Sequence, residues 1–315
     1  MMRNERAAFV PRRRRTRNLA ALVLAISWAG RAPAQDVGAP SLPGLRIHAR
    51  SYSPGEILRI EAQRTDCPAV SATGEFLDVP FSLAKLDSPL ASPRFVGWAA
   101  IPLDRKEGTA RIAVTLECGE DIPYMKVQRD IQIAAKTFPE QKLEVEEKFV
   151  NPPKAALARI EREKAITDKI YKRRTPLAPP TDPFVPPVPG SPTSEFGAHR
   201  ILNGQPKAPH PGIDLQAATG TPVQAAGPGT VALASDLYYS GGTIIIDHGS
   251  GLFTVYAHLS KIETKEGSAV HEGERLGLSG ATGRVTGPHL HWGARVGDTI
   301  VDPRGLLDPK VFKSP

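Results

Sequence analysis

Proline and glycine interrupt this chain so often that long helices are excluded over most of it, with 31 Pro and 28 Gly among 315 residues. Each proline removes a backbone donor, and each glycine weakens a helix interior. A β-rich fold with many turns is what remains. Hydrophobic residues make up 40% of the chain and charged residues 23%, which is enough apolar side chain for buried cores and too little charge for wholesale disorder. At this length two domains of ordinary size are expected.

Between Leu45 and Ile133 apolar residues recur at period two, as in Leu58, Ile60 and Ala62, then Ile112, Val114 and Leu116, then Met125, Val127, Ile131 and Ile133. Turn formers such as Ser53-Pro54-Gly55 separate these runs. The pattern predicts an immunoglobulin-like β-sandwich over residues 35–136, with a spacer or docking role because it holds only His48 and no cluster of reactive groups. Residues 137–190 read as a linker. It begins with a helix of about five turns between Pro153 and Arg174 that carries Ala156, Ile160, Ile170 and Tyr171 on one side, with Asp168 spaced to pair with Lys172. A stiff extended connector follows, in which seven of the fourteen residues 176–189 are proline. From residue 191 to 315 short Gly-bounded strands (Thr221–Ala225, Thr230–Ala234, Thr243–Asp247, Phe253–Tyr256, Arg275–Leu278) predict a second, mainly antiparallel sheet domain.

The formal charge of +7 suggests nucleic acid until its location is read. Residues 1–34 hold eight arginines against Glu5 alone, so the remainder carries 32 basic and 32 acidic residues and is neutral. No electrostatic case for nucleic-acid binding survives. The arginines precede an apolar run from Leu19 to Gly30 and the small-residue pattern Ala32-Pro33-Ala34, which together read as a secretory signal peptide over residues 1–34. Membrane contact is then expected only during export, because the run falls short of the roughly 20 residues of a spanning helix. Export permits disulfides, and a single Cys67–Cys118 bridge is the simplest account of two cysteines. On the loop-entropy model it would contribute about 4 kcal/mol.

Seven of the eight histidines lie between His199 and His291. Two spacings among them are even: His210 to Asp214, and His289 to His291. In an extended strand, residues two or four apart project from one face, so each pair can aim its side chains at one point. Two imidazoles and a carboxylate suit Zn²⁺ with one position left for water. His258 closes another predicted strand nearby. No H-E-x-x-H pattern occurs, since His271-Glu272 lacks the second His. His199, His248 and His271 are expected at the surface, and Tyr238 and Tyr239 either line a groove or pack.

At these residues the chain resembles the lysostaphin-type, LytM-like family of peptidoglycan zinc endopeptidases. The likeness rests on Ser194-Glu195-Phe196-Gly197 with Arg200 following, on His210 to Asp214, and on the GPHLHWG run at 287–293. It spans about residues 190–308, and a weaker likeness to the region preceding the peptidase in multidomain members covers Phe138–Arg174. The resemblance implies that His210, Asp214 and His291 hold zinc and that His258 and His289 are catalytic without binding it. Which of those two takes the proton stays open. It also implies a periplasmic or secreted enzyme with peptidoglycan as substrate. Two other readings are disfavoured: an inactive wall-binding protein or activator of another hydrolase, because every ligand position is filled, and a lipoyl- or biotin-type carrier, because no hairpin presents a lysine. The N-terminal region is expected to position or restrain the peptidase region without completing its site, since every proposed ligand follows Ser191.

Overall fold

A computed structural model of the chain describes residues 44–65, 69–86, 93–119 and 124–312. The expected signal peptide and Cys67 lie outside them. Seven antiparallel strands form first: β1 (Leu45–His48), β2 (Ile57–Gln63), β3 (Ser71–Phe76), β4 (Val79–Leu86), β5 (Arg94–Ala100), β6 (Gly108–Glu117) and β7 (Met125–Ile133). Their order is β1-β2-β5-β4-β3-β6-β7. β4 changes partner along its length, pairing with β3 through Val79–Ser82 and with β5 through Leu83–Leu86. The sheet thus doubles over into a β1-β2-β5-β4 layer and a β3-β6-β7 layer, the strand order of a constant-type immunoglobulin sandwich. Alternation in β6 places Ala110, Ile112, Val114 and Leu116 in the core between them. Cys118, just past β6, is disulfide-bonded.

Strand β8 (Glu140–Leu143) leaves this sandwich and is followed by α1 (Glu147–Val150) and α2 (Lys154–Tyr171). The eighteen-residue α2 starts where Pro152-Pro153 ends and keeps the predicted five turns. Only its last two residues, Ile170 and Tyr171, are fully buried, against Leu233, Ile245 and Phe253. Asp168 pairs with Lys164 one turn earlier, and not with Lys172 as expected, because the helix ends at Tyr171 and Lys172 is its C-cap. The proline-rich stretch is extended as predicted but is no free spacer. Its amides at Phe184 and Val185 donate to the carbonyls of Leu306 and Ala226, and the Phe184 and Val188 side chains join the C-terminal core.

The rest of the chain forms β9 (Pro192–Ser194), β10 (His199–Leu202), β11 (Gln205–Pro206), β12 (Gly212–Leu215), β13 (Pro222–Gln224), β14 (Gly229–Leu237), β15 (Gly241–Asp247), β16 (Leu252–Leu259), β17 (Lys261–Ile262), β18 (Ala269–Val270), β19 (Arg275–Leu278), β20 (Leu290–Val296) and β21 (Thr299–Val301), then a 3₁₀ turn (Pro303–Leu307) and α3 (Pro309–Phe312). The main sheet runs β18-β14-β15-β16-β20-β12-β9, with β21 also on β20. A small sheet, β13-β19-β17, flanks it, while β10 pairs with β11 and, in parallel, with β8. Period two divides β20: Leu290, Trp292 and Ala294 enter the core with Tyr256, Ile244 and Ile213, leaving His291, Gly293 and Arg295 on the other face. The same core includes Ile57 and Trp98 of the N-terminal sandwich, and Trp98 meets Phe312 edge-on at 5.9 Å between centroids. Arg50 bridges Glu56 and the buried Asp302, each at 2.7 Å. The described residues all belong to one compact unit.

Candidate active site

Pairing of β12 with β20 sets Asp214 opposite His291, and β20 against β16 sets His291 opposite Ala257. His210 lies two positions before the start of β12. The result is a tight triangle: His210 Nε2 to Asp214 Oδ1 3.0 Å, His291 Nδ1 to Asp214 Oδ1 2.9 Å, and His210 Nε2 to His291 Nδ1 3.0 Å. The other ring nitrogen of His210 is committed, because Nδ1 lies 2.9 Å from the Glu195 carbonyl, to which it donates, and 3.2 Å from Ser194 Oγ. Nε2 then presents a lone pair. Arg200 takes the second carboxylate oxygen, donating to Asp214 Oδ2 at 3.0 Å.

Burial pushes His210 down to about 4, beyond what Asp214 restores, so the ring is neutral at pH 7. Burial also opposes ionisation of Asp214, but contact with His210 and His291 outweighs it and holds the carboxyl well below the usual carboxylate range. With their ligand atoms about 3 Å from one another, His210, Asp214 and His291 are a group that could hold a metal ion. Neutral imidazoles and a carboxylate suit a zinc-like ion.

His258 and His289 stand beside the triangle. The His258 backbone takes the left-handed region, φ +66°, a strained state that a β-strand residue adopts only when its surroundings impose it. Its Nδ1 lies 2.8 Å from the Thr282 carbonyl, and burial, followed by the charges of His291 and His289, lowers it to about 3. His289 likewise ties Nδ1 to a carbonyl, that of Gly287, at 2.8 Å. The two rings meet edge-on at 4.8 Å, and His289 Nε2 is 3.6 Å from Asp214 Oδ1. Each therefore keeps Nε2 free near the triangle. All five residues singled out in the sequence come together.

Other residues fall differently. His248, expected at the surface, is buried: Nδ1 donates to the Pro228 carbonyl at 2.6 Å, Nε2 is 2.7 Å from Thr254 Oγ1, and the Phe184 ring packs at a tilt against it, 4.8 Å between centroids. The turn that carries it is covered by the proline-rich stretch, a long-range contact with no local signal. His199 and His271 are exposed as expected. Tyr238 packs on Phe149 and donates to the Lys148 carbonyl at 2.6 Å, whereas Tyr239 lines a cavity of about 400 Å³. That cavity runs from His291 along Ala257, Val255 and Gly293 on the sheet and is walled by Glu163, Lys164 and Tyr171 of α2. The linker helix thus contributes to the cleft, although the sequence suggested a connector. Sequence reading also missed Thr282, whose only local signal is the turn-forming Gly283 after it.

Residues 208–303 match peptidase family M23. The C-terminal part of the chain thus holds a peptidase M23 domain. Over 85 residues the chain is 51% identical to the peptidoglycan DD-endopeptidase ShyA of Vibrio cholerae, a match covering 27% of this chain and 20% of ShyA. Over 100 residues it is 44% identical to the DD-carboxypeptidase/endopeptidase Mpg of Neisseria meningitidis, covering 32% of this chain and 23% of Mpg. The chain thus matches only about a fifth of the length of these relatives. A solved structure of an M23 peptidase from Pseudomonas aeruginosa aligns with a TM-score of 0.61 and 28% identity over 82% of this chain and 95% of that one, coverage that takes in the N-terminal sandwich as well as the M23 region.

Proposed function

We propose that this chain is an exported zinc endopeptidase that hydrolyses peptide cross-links of peptidoglycan between D-configured residues, acting in the periplasm or after secretion. The observation that carries the reading is the triangle itself, in which three donor atoms converge within about 3 Å and the first histidine is locked in its ligating tautomer by Glu195. His210 Nε2, Asp214 Oδ1 and His291 Nδ1 are the zinc ligands in this proposal. When bound, zinc supplies a Lewis acid and lowers the pKa of water towards neutrality. His258 and His289 hold their Nδ1 protons on backbone carbonyls, so each offers a free Nε2 that can accept the proton of the attacking water and return it to the leaving amine. Arg200 orients Asp214, and the cleft beneath α2 receives the peptide.

The relatives' DD-endopeptidase activity supports this bond class over a glycine bridge. Among the described residues no helix is long and apolar enough to cross a membrane. The test is metal analysis of the purified chain together with mass spectrometry of fragments released from defined muropeptides. About one zinc per chain and products cut at a D,D-bond are expected. Absence of zinc, with no activity on adding it, refutes the enzyme.

A further inference from the structure

The loop between β19 and β20 carries an arginine that nothing among the described residues neutralises. Thr282 anchors the loop, because its carbonyl receives His258 Nδ1 while its hydroxyl accepts from Gly242 N at 3.0 Å and donates to Leu259 O at 2.8 Å. Gly283, at φ +74°, then turns the chain so closely over β15 that a Cβ there would lie 2.5 Å from the Gly241 nitrogen. Next, the Arg284 amide donates to the Tyr239 carbonyl at 2.8 Å. The position of Arg284 is thereby fixed to the same strands that present His258.

Its half-buried guanidinium lies over the Tyr239 ring, 5.0 Å from the centroid. Among the described residues no carboxylate pairs with it. Burial and the nearby charge of Arg200 both weaken its hold on its proton. Arg200 spends one bond on Asp214 and leaves a buried Nε without a partner. Of the two guanidinium groups only that of Arg200 meets a carboxylate, and that carboxylate, Asp214, belongs to the metal triangle. A cation drawn partly out of water with no counter-charge is costly to keep, and a bound metal ion would add to the positive field. An anionic ligand removes that cost. Tyr239, on which Arg284 rests, lines the cleft that ends at His291.

We propose that Arg284 binds a carboxylate of the substrate peptide beside the bond to be cut and so selects carboxylate-bearing cross-links over amidated or glycine ones. The proposal rests on the hydrolase reading above. A charge-assisted hydrogen bond of this kind changes affinity about 10- to 100-fold. The full chain should therefore cleave cross-linked muropeptide dimers with free carboxylates flanking the scissile bond with a kcat/KM about 10- to 100-fold above that for dimers carrying primary amides there. R284Q should lose that preference by slowing only the carboxylate form, and R284K should recover part of it, with zinc content and melting temperature unchanged. Equal cleavage of both dimers by the wild-type chain, or an equal loss on both in R284Q, overturns the assignment. If the zinc-loaded chain cleaves neither dimer, the hydrolase reading fails. Equilibrium binding of the two dimers to zinc-free chain then decides Arg284 separately: tighter binding of the carboxylate form, abolished by R284Q, supports it, and equal binding refutes it.

Discussion

Replacing the two histidines of the H-x-H motif one at a time separates metal binding from proton transfer. His291 Nδ1 is a vertex of the triangle, 2.9 Å from Asp214 Oδ1 and 3.0 Å from His210 Nε2, so His291→Ala leaves a two-residue site. Zinc binding worth about 10–16 kcal/mol over four ligands assigns roughly 3 kcal/mol to each, so zinc affinity should fall by about 100-fold or more. His289 is differently placed: its Nδ1 is tied to Gly287, and its Nε2 stands 3.6 Å from Asp214 Oδ1, outside the triangle. His289→Ala should keep the metal and lower kcat by about 10²–10⁴-fold, the usual contribution of a positioned acid or base. Both variants are to be assayed for bound zinc by mass spectrometry and for turnover of a defined muropeptide. Loss of zinc from His289→Ala with retention in His291→Ala would reverse the assignment, and full activity in either would show that the motif is not catalytic.

The buried His248, lowered to about 4 chiefly by burial, binds a proton more weakly in the folded than in the unfolded chain, so its contribution to stability is complete above about pH 6.5 and is lost as pH falls towards 4, by about 3 kcal/mol in all. An NMR titration giving His248 an ordinary value near 6.5 would contradict this. Arg50→Met should cost about 2–3 kcal/mol in denaturant unfolding, because Glu56 and Asp302 stay buried with fewer counter-charges, and a cost below about 0.5 kcal/mol would mean that the bridge does not tie the sandwich to the M23 region. A chain starting at Pro183 should be markedly less stable than the full chain, since it uncovers Phe253 and Ile245 where Tyr171 sat and Phe312 where Trp98 sat; an unchanged melting temperature would restore a freely separable peptidase.

Much of this architecture is legible in the sequence because it is written in period two. The alternation in β6 and β7 and the Gly-bounded strands after residue 220 are local patterns that a sheet converts directly into faces, and it sets Asp214 opposite His291, with His210 and His289 just ahead of those strands. What period two cannot carry is which ring nitrogen is used. His210 turns Nε2 inward because Glu195, fifteen residues earlier, accepts from Nδ1, whereas His291 turns Nδ1 inward, and neither choice has a sequence signature. His248 was misplaced for a related reason, since its burial depends on a proline-rich segment sixty residues away that looked like solvent-exposed spacer.

The same long-range packing bears on how the parts work together. A proline-rich stretch that merely separated two domains would leave its apolar residues exposed, but Phe184 contacts His248 and Phe312, and Val188 shares their core. Trp98 reaches that core from the sandwich, and α2 lies across the catalytic face with only Ile170 and Tyr171 fully buried. The earlier two thirds of α2 are held mainly by polar contacts, Arg159 to Asp236 and Glu163 to the Tyr238 amide, over an apolar cavity. Polar contacts at the surface hold an element far less firmly than apolar burial does. The sandwich is therefore joined to the sheet through the core, while the helix that walls the cleft is secured at one end, and the width of that cleft is set by the linker and not by the M23 region alone.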